Sequence, residues 1–168
     1  MLLTSASANK MIKFLEDQKN YLLSCETNER TYVLAVDEAK DIPDYDFNET
    51  NNKIDKIDFK IRTLKHALNS FNSTTLLSIG ITIDEALVEM AQLNKKLPRL
   101  DRMRKATAKT RVMGYNSSRR DIAEYEYLNY NIKDVDKVYE DNMRRVQDIQ
   151  LALDLVNQTV EFEVDINY

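Results

Sequence analysis

Residues 54–71 read IDKIDFKIRTLKHALNSF, and the spacing of the apolar side chains in this run decides the fold. The spacing alternates between three and four residues, which places these side chains on one face of a helix. Sustained over about three heptads, this coiled-coil pattern is typical of a helix that packs along another helix. A lone helix would leave the seam in water, so a partner helix is predicted. The seam consists of Ile54, Ile57, Ile61, Leu64, Leu68 and Phe71.

A second seam of the same kind runs through a helix predicted over about residues 133–157. Its one polar member is Asn142, and a buried Asn in such a seam costs stability but can fix register and partner. The two seams pack on each other within one chain, or helical hairpins associate between chains. The surplus of seam surface favours a homo-oligomer. The seam consists of Val135, Tyr139, Asn142, Val146, Ile149, Leu153 and Val156.

Two more helices complete the helical part of the prediction. The first spans about residues 9–24, and the third begins at Thr82, where Glu85 three residues later completes a capping box. Pro98 lies inside the third helix and predicts a kink or break just before it. The chain has only two glycines and two prolines, which favours long helices over a loop-rich fold.

Three short runs have the β-branched, aromatic or alternating pattern of strands, at residues 31–36, 122–130 and 160–166. The predicted fold class is therefore mainly α with a small antiparallel β portion (α+β). We expect an elongated helical hairpin or bundle of about four helices, with a three-stranded sheet at one end. Residues 1–168 are predicted to form a single domain with a basic helical tip and loop at about residues 95–120.

This basic segment is the most informative surface in the sequence. The net charge of the chain is only −4, so the overall charge does not indicate a nucleic-acid or membrane partner. A local cluster of cations can nevertheless neutralise phosphates, so a nucleic acid or another polyanion is a possible partner. Tyr115 is the one aromatic residue within the segment, so few rings are available there for bases to stack on. The candidate polyanion-binding residues are Lys95, Lys96, Arg99, Arg102, Arg104, Lys105, Lys109, Arg111, Arg119 and Arg120.

No catalytic, metal or cofactor constellation emerges from the residues. The single histidine, His66, has no carboxylate or second ligand at helical spacing, and the single cysteine, Cys25, has no base close in sequence except Arg30. The acidic run around Asp44 and Asp46 lacks the turn glycine of a calcium loop. We therefore expect no enzyme, no cofactor and no small-molecule substrate. One unpaired cysteine and the lack of a signal-peptide pattern favour the cytoplasm.

Several short motifs follow one another in an order that resembles a known family. They are TY at 31–32, PDYDF at 43–47, KHALNSFNSTT at 65–75, TIDEAL at 82–87, DIAEY at 121–125, QLALDLVN at 150–157 and EFEV at 161–164. Together they resemble the septicolysin-like family of small bacterial proteins over about residues 8–166. The resemblance implies a long helical hairpin with a small β portion, and it assigns no catalytic residues. Many members have Trp after the C-terminal Asn, where this chain has Gln158.

Three functions follow from these observations. The preferred one is a non-enzymatic helical assembly or scaffold protein that forms homo-oligomers, because two long seams occur without a catalytic constellation. The alternative is a polyanion-binding protein that uses the basic segment. A membrane-acting lytic protein is a second alternative that only the family name suggests; a membrane partner is not expected, because no stretch approaches the ~20 apolar residues of a membrane span.

Overall fold

Four helices and four short strands make up the part of the chain that the computed structural model describes, residues 1–36, 42–112 and 124–165. The architecture is mostly helical with a small antiparallel β portion, so the predicted α+β class is confirmed. The helices are α1 (Ser5–Glu29), α2 (Phe47–Thr74), α3 (Ile83–Arg104) and α4 (Ile132–Thr159), and the strands are β1 (Leu2–Thr4), β2 (Lys109–Arg111), β3 (Tyr125–Tyr127) and β4 (Glu161–Glu163).

The helices form two antiparallel hairpins, α1 with α2 and α3 with α4. Each seam is covered inside the chain, that of α2 mainly by α1 and that of α4 mainly by α3, so the two seams are not each other's main partners. The exception is Phe71 at the end of α2, which lies in the apolar cluster of α3 and α4. Some side chains of the two seams are fully buried and others are half-buried. The buried members are Leu64, Phe71, Val146, Ile149, Leu153 and Val156, and the half-buried members are Ile54, Ile57, Ile61, Leu68, Val135, Tyr139 and Asn142.

The core consists of two apolar clusters, and the side chain of Phe162 on β4 packs against both. One cluster lies mainly between α3 and α4 but includes Phe71 of α2, and the other lies mainly between α1 and α2. The Phe162 ring stacks on Phe71 at the end of α2, with ring centroids 4.7 Å apart. Close stacking of this kind adds to the free energy gained from burying the two rings. β4 therefore joins the hairpins at a shared base, where α1 and α3 begin and α2 and α4 end.

The β portion is two separate two-stranded ribbons, and the prediction of one three-stranded sheet is wrong. β1 pairs with β4 at the shared base, while β2 pairs with β3 at the far end of the α3–α4 hairpin. The last two predicted strands thus belong to opposite ends of a long helix and cannot meet. Each one takes a partner that is close in space, and the partner strands β1 and β2 are too short to show a sequence pattern.

Residues 31–36, predicted as a strand, do not form a strand. The side chains of Val33 and Val36 are almost fully exposed. β-propensity reflects packing on a half-buried pleated surface, and side chains as exposed as these two do not contribute to one. The composition of the segment alone therefore does not make it a strand.

The capping box at the start of α3 is present as predicted. The Glu85 backbone N–H donates to the Thr82 hydroxyl at 3.2 Å, and the Thr82 backbone N–H donates to the Glu85 carboxylate at 2.8 Å. These contacts with Thr82 hold the pKa of Glu85 below its usual value. α3 continues through Pro98, so no break occurs there although the proline removes one backbone donor, and Leu100 two residues later is buried.

Asn142 is half-buried in the α4 seam, and its side-chain Nδ2 has no hydrogen-bond partner among the described residues. An unsatisfied buried donor costs about 1–3 kcal/mol. We expect Asn142→Leu to raise the free energy of unfolding by about 1–2 kcal/mol, because it removes this donor and extends the apolar seam. Urea denaturation followed by circular dichroism measures the change.

Asn94→Leu is the matched control, because Asn94 is an exposed residue of α3. This control should alter the free energy of unfolding by no more than about 0.5 kcal/mol. A loss of stability in Asn142→Leu would instead show that the amide fixes the register between α3 and α4, the second role predicted for it.

Candidate functional site

The basic residues predicted to bind a polyanion fall into three structural groups. Four lie on exposed turns of α3, two lie at the end of that helix, and two lie on β2. Arg119 and Arg120 lie outside the described residues, as does Tyr115. The three groups occupy one end of the α3–α4 hairpin, the end away from the shared base.

The α3 group forms what we call the helix stripe: Lys95, Arg99 and Arg102. Their spacing of four and three residues puts them on one face of the helix. Leu100, which lies on the other face, is buried against α4. All three stripe residues and the adjacent Lys96 are exposed, and within the described ranges none of the four forms an ion pair. The stripe therefore presents positive charge to solvent.

Arg104 and Lys105 have partners within the protein. The Arg104 guanidinium donates to Asp101 at 2.9 Å and to Asp136 at 3.2 Å, and it lies 4.0 Å from the ring centroid of Tyr139. Lys105 donates to Asp101 at 2.7 Å. Hydrogen bonds from Lys105 and Arg104 lower the pKa of Asp101, and Asp101 followed by Asp136 raises the pKa of Arg104. Arg104 therefore ties α3 to α4, while Lys105 pairs within the end of α3. Both cations are less available to a ligand.

The third group belongs to the β2–β3 ribbon. Lys109 pairs with Tyr127 and Arg111 pairs with Tyr125, so these four side chains share one face, which we call the ribbon face. Thr110 and Glu126 share the opposite face. All six residues of the two strands are exposed, so the ribbon stands away from the core.

Cations and aromatic rings are in contact on the ribbon face. The Lys109 ammonium lies 4.0 Å from the ring centroid of Tyr125 and 5.4 Å from that of Tyr127, within the range of cation–π attraction. The two ring centroids are 6.5 Å apart. Tyr125 is 41% exposed and Tyr127 is 63% exposed, which leaves apolar ring area in water.

The ribbon face corrects the expectation that the basic segment lacks a stacking platform. β3 lies within the strand predicted at residues 122–130, and the spacing of two residues puts the rings of Tyr125 and Tyr127 on one face. The sequence did not reveal β2, the strand that pairs with β3, because the basic segment was predicted to be a helical tip and loop. The three residues of β2, Lys109 to Arg111, are too few to carry a strand pattern of their own.

The other chemically notable residues lie on α1, on α2 and in the loop between them. His66 is exposed on α2, and Cys25 is half-buried on α1, where a hydrogen bond between the Tyr21 and Cys25 side chains raises the pKa of Tyr21. Asp46 caps α2 by accepting a hydrogen bond from the Glu49 backbone N–H at 3.0 Å. In the described part of the chain, no group of three or more metal-ligating side chains lies together.

The acidic loop is tied to α1 through Tyr45. Its hydroxyl donates to the Glu26 carboxylate at 2.6 Å, and this hydrogen bond is the main reason why the pKa of Tyr45 rises to about 12. The loop thus closes the α1–α2 hairpin at the end away from the shared base.

None of the helices within the described ranges is both long and apolar enough to cross a membrane. The membrane-acting role implied by the family resemblance stays a prediction.

A comparison with solved structures finds the same fold in a crystal structure of a functionally unknown conserved protein from Corynebacterium diphtheriae. The two chains are 16% identical with a TM-score of 0.62, and the match covers 97% of this chain and 100% of that one. At this identity the likeness concerns the fold alone. No family model matches the chain, and no curated protein matches it. The resemblance to the septicolysin-like family stays a prediction.

Proposed function

We propose that the protein binds single-stranded nucleic acid through the helix stripe and the ribbon face, without catalysing a reaction on it. The observation that carries this proposal is the ribbon face, where two exposed tyrosine rings lie beside Lys109 and Arg111 on strands that take no part in the core. Both kinds of contact that single strands require, stacking and phosphate neutralisation, are available there.

The two surfaces would divide the recognition between them. Aromatic rings stack on any base, so the ribbon face would engage unpaired bases without strong sequence preference. The helix stripe would contact phosphates, because Lys95 and Arg102 are seven residues apart on one helix face, about 10 Å along the axis. Base pairs in a duplex keep their faces stacked, which favours a single strand as the ligand.

The experiment that tests the proposal removes the rings. Base–aromatic stacking is worth about 1–3 kcal/mol per base, so Tyr125→Ala/Tyr127→Ala, which removes two rings, should weaken binding of a labelled oligothymidylate by at least about 30-fold. Fluorescence anisotropy titration measures the affinity. Tyr125→Phe/Tyr127→Phe keeps both rings and should bind within about twofold of the unchanged protein.

Tyr32→Ala is the matched control, because Tyr32 is also exposed but lies in the loop of the other hairpin. It should leave the affinity unchanged. Equal affinity of the unchanged protein and the double alanine variant would remove the ribbon face from the site and with it the observation that carries the proposal.

A homo-oligomeric scaffold, predicted from the seams, is a second proposal on a different observation. Both seams are covered within the chain, so they no longer call for a second copy. Leu151 and Leu155, one turn apart on the outer face of α4, are 70% and 60% exposed, and a second copy packed there would cover them. Light scattering after size exclusion tests this: a defined dimer supports it, and a monomer at high concentration rejects it.

A further inference from the structure

The outer flank of the α1–α2 hairpin contains a groove of about 560 Å³. Its two walls differ in chemistry. The α1 wall is largely apolar and aromatic, while the α2 wall is largely cationic. The groove is lined by Phe14, Asp17, Gln18, Tyr21 and Leu22 of α1 and by Lys53, Lys56, Ile57 and Lys60 of α2.

The opposite flank of the same hairpin is closed by ion pairs between the helices. Lys19 contacts Asp58 at 2.7 Å, and Lys65 contacts Glu16 at 2.8 Å. Lysines and carboxylates thus face each other across that flank. In the groove, the lysines of α2 face the rings of α1, and Phe14 and Tyr21 are mostly exposed.

We propose that this groove binds a single-chain anionic amphiphile such as a fatty acid, with its alkyl chain on the α1 wall and its carboxylate at the α2 wall. The apolar side chains would be covered by the alkyl chain, which is favourable at about 25 cal/mol per Å² of apolar area removed from water. The ammonium groups of Lys53, Lys56 and Lys60 outnumber the one carboxylate in the lining, Asp17.

The charges in the groove favour an anionic ligand and determine how that ligand is oriented. Asp17 lies on the α1 wall and repels a ligand carboxylate from that side, which places the head group at α2. Lys53 already contacts Glu49 at 2.6 Å, so its charge is partly offset. Lys56, which is exposed and forms no ion pair with any described residue, is therefore the principal head-group contact.

Size favours a small molecule over a macromolecule. Small-molecule sites typically have volumes of about 300–1,000 Å³, and the volume of this groove lies within that range. The lining residues of α1 span residues 14–22, about 12 Å along the helix axis, which suits a medium-length alkyl chain. An acidic amphipathic peptide or an anionic membrane surface is a different occupant, and the test separates them.

Decanoate below its micelle concentration is the probe, titrated into ¹⁵N-labelled protein and followed by heteronuclear NMR. We expect saturable binding with shifts concentrated at residues 14–22 and 53–60. Lys56→Glu should weaken binding at least tenfold, and Phe14→Ala should weaken it several-fold. Lys13→Glu, an exposed lysine of α1 outside the groove lining, is the matched control and should leave the affinity unchanged. Neutral decyl maltoside should bind at least tenfold more weakly than decanoate.

Three results would overturn the proposal. They are equal binding of decanoate and decyl maltoside, equal binding by Lys56→Glu and the unchanged protein, or binding only to anionic vesicles or to an acidic amphipathic peptide. Circular dichroism on each variant confirms that it is folded. The groove variants should bind oligothymidylate normally, so this proposal and that of nucleic-acid binding fail or succeed separately.

Discussion

Arg99→Glu/Arg102→Glu should lower the affinity for single-stranded nucleic acid on the order of 100-fold or more at 50 mM salt. The double variant removes two cations from the helix stripe and replaces them with charges that repel phosphates. Both side chains are exposed, and neither forms an ion pair with a described residue, so the fold should not suffer. Anisotropy titrations with the same oligothymidylate measure the loss.

Lys10→Glu/Lys13→Glu makes the same change of net charge on an exposed part of α1, in the other hairpin. This control separates a local contact from the general effect of a more acidic protein. An equal loss of affinity in both double variants would mean that net charge, and not the helix stripe, governs binding.

Phe162→Ala should lower the free energy of unfolding by about 3 kcal/mol, the low end for loss of a core Phe, since the ring is half-buried. The ring contacts both apolar clusters and stacks on Phe71, so its loss loosens the joint between the hairpins. For a chain of this size the melting temperature should fall by about 10 °C. Urea and thermal denaturation followed by circular dichroism report both quantities.

Val88→Ala is the comparison, because this valine is 53% exposed on α3 and belongs to none of the proposed sites. Its free energy of unfolding should change by less than about 0.5 kcal/mol. A loss below about 1 kcal/mol in Phe162→Ala would show that each hairpin holds its own structure and that β4 does not join them.

The helical part of the fold could be predicted because its signals are local and repeated. The seams of α2 and α4 and the capping box at Thr82 each depend on residues within one or two turns. Which helices pair could not be predicted, because a heptad seam records that a partner exists but not which helix supplies it. The β portion was harder to predict, because a strand of three residues forms only when it pairs with another strand. The partner can be distant in sequence, as β1 and β4 are.

The candidate site was predictable in its charges and not in its geometry. Counting cations found the basic segment, but it gave equal weight to Arg99, which points to solvent, and Arg104, which Asp101 and Asp136 hold. The tyrosines of β3 lie beyond the segment in sequence and join it only because β2 and β3 pair. The α1–α2 groove had no sequence signal, since its lining combines residues about forty positions apart.

The most direct test of single-strand binding is the salt dependence of the affinity of the unchanged protein for oligothymidylate. If about four cations of the helix stripe and ribbon face neutralise phosphates, the logarithmic slope should be about −3, and the affinity should fall about 50-fold between 50 and 200 mM salt. Circular dichroism over the same range should show no change of fold. The absence of measurable binding at 50 mM salt, or an affinity that salt does not change, would contradict the proposed function.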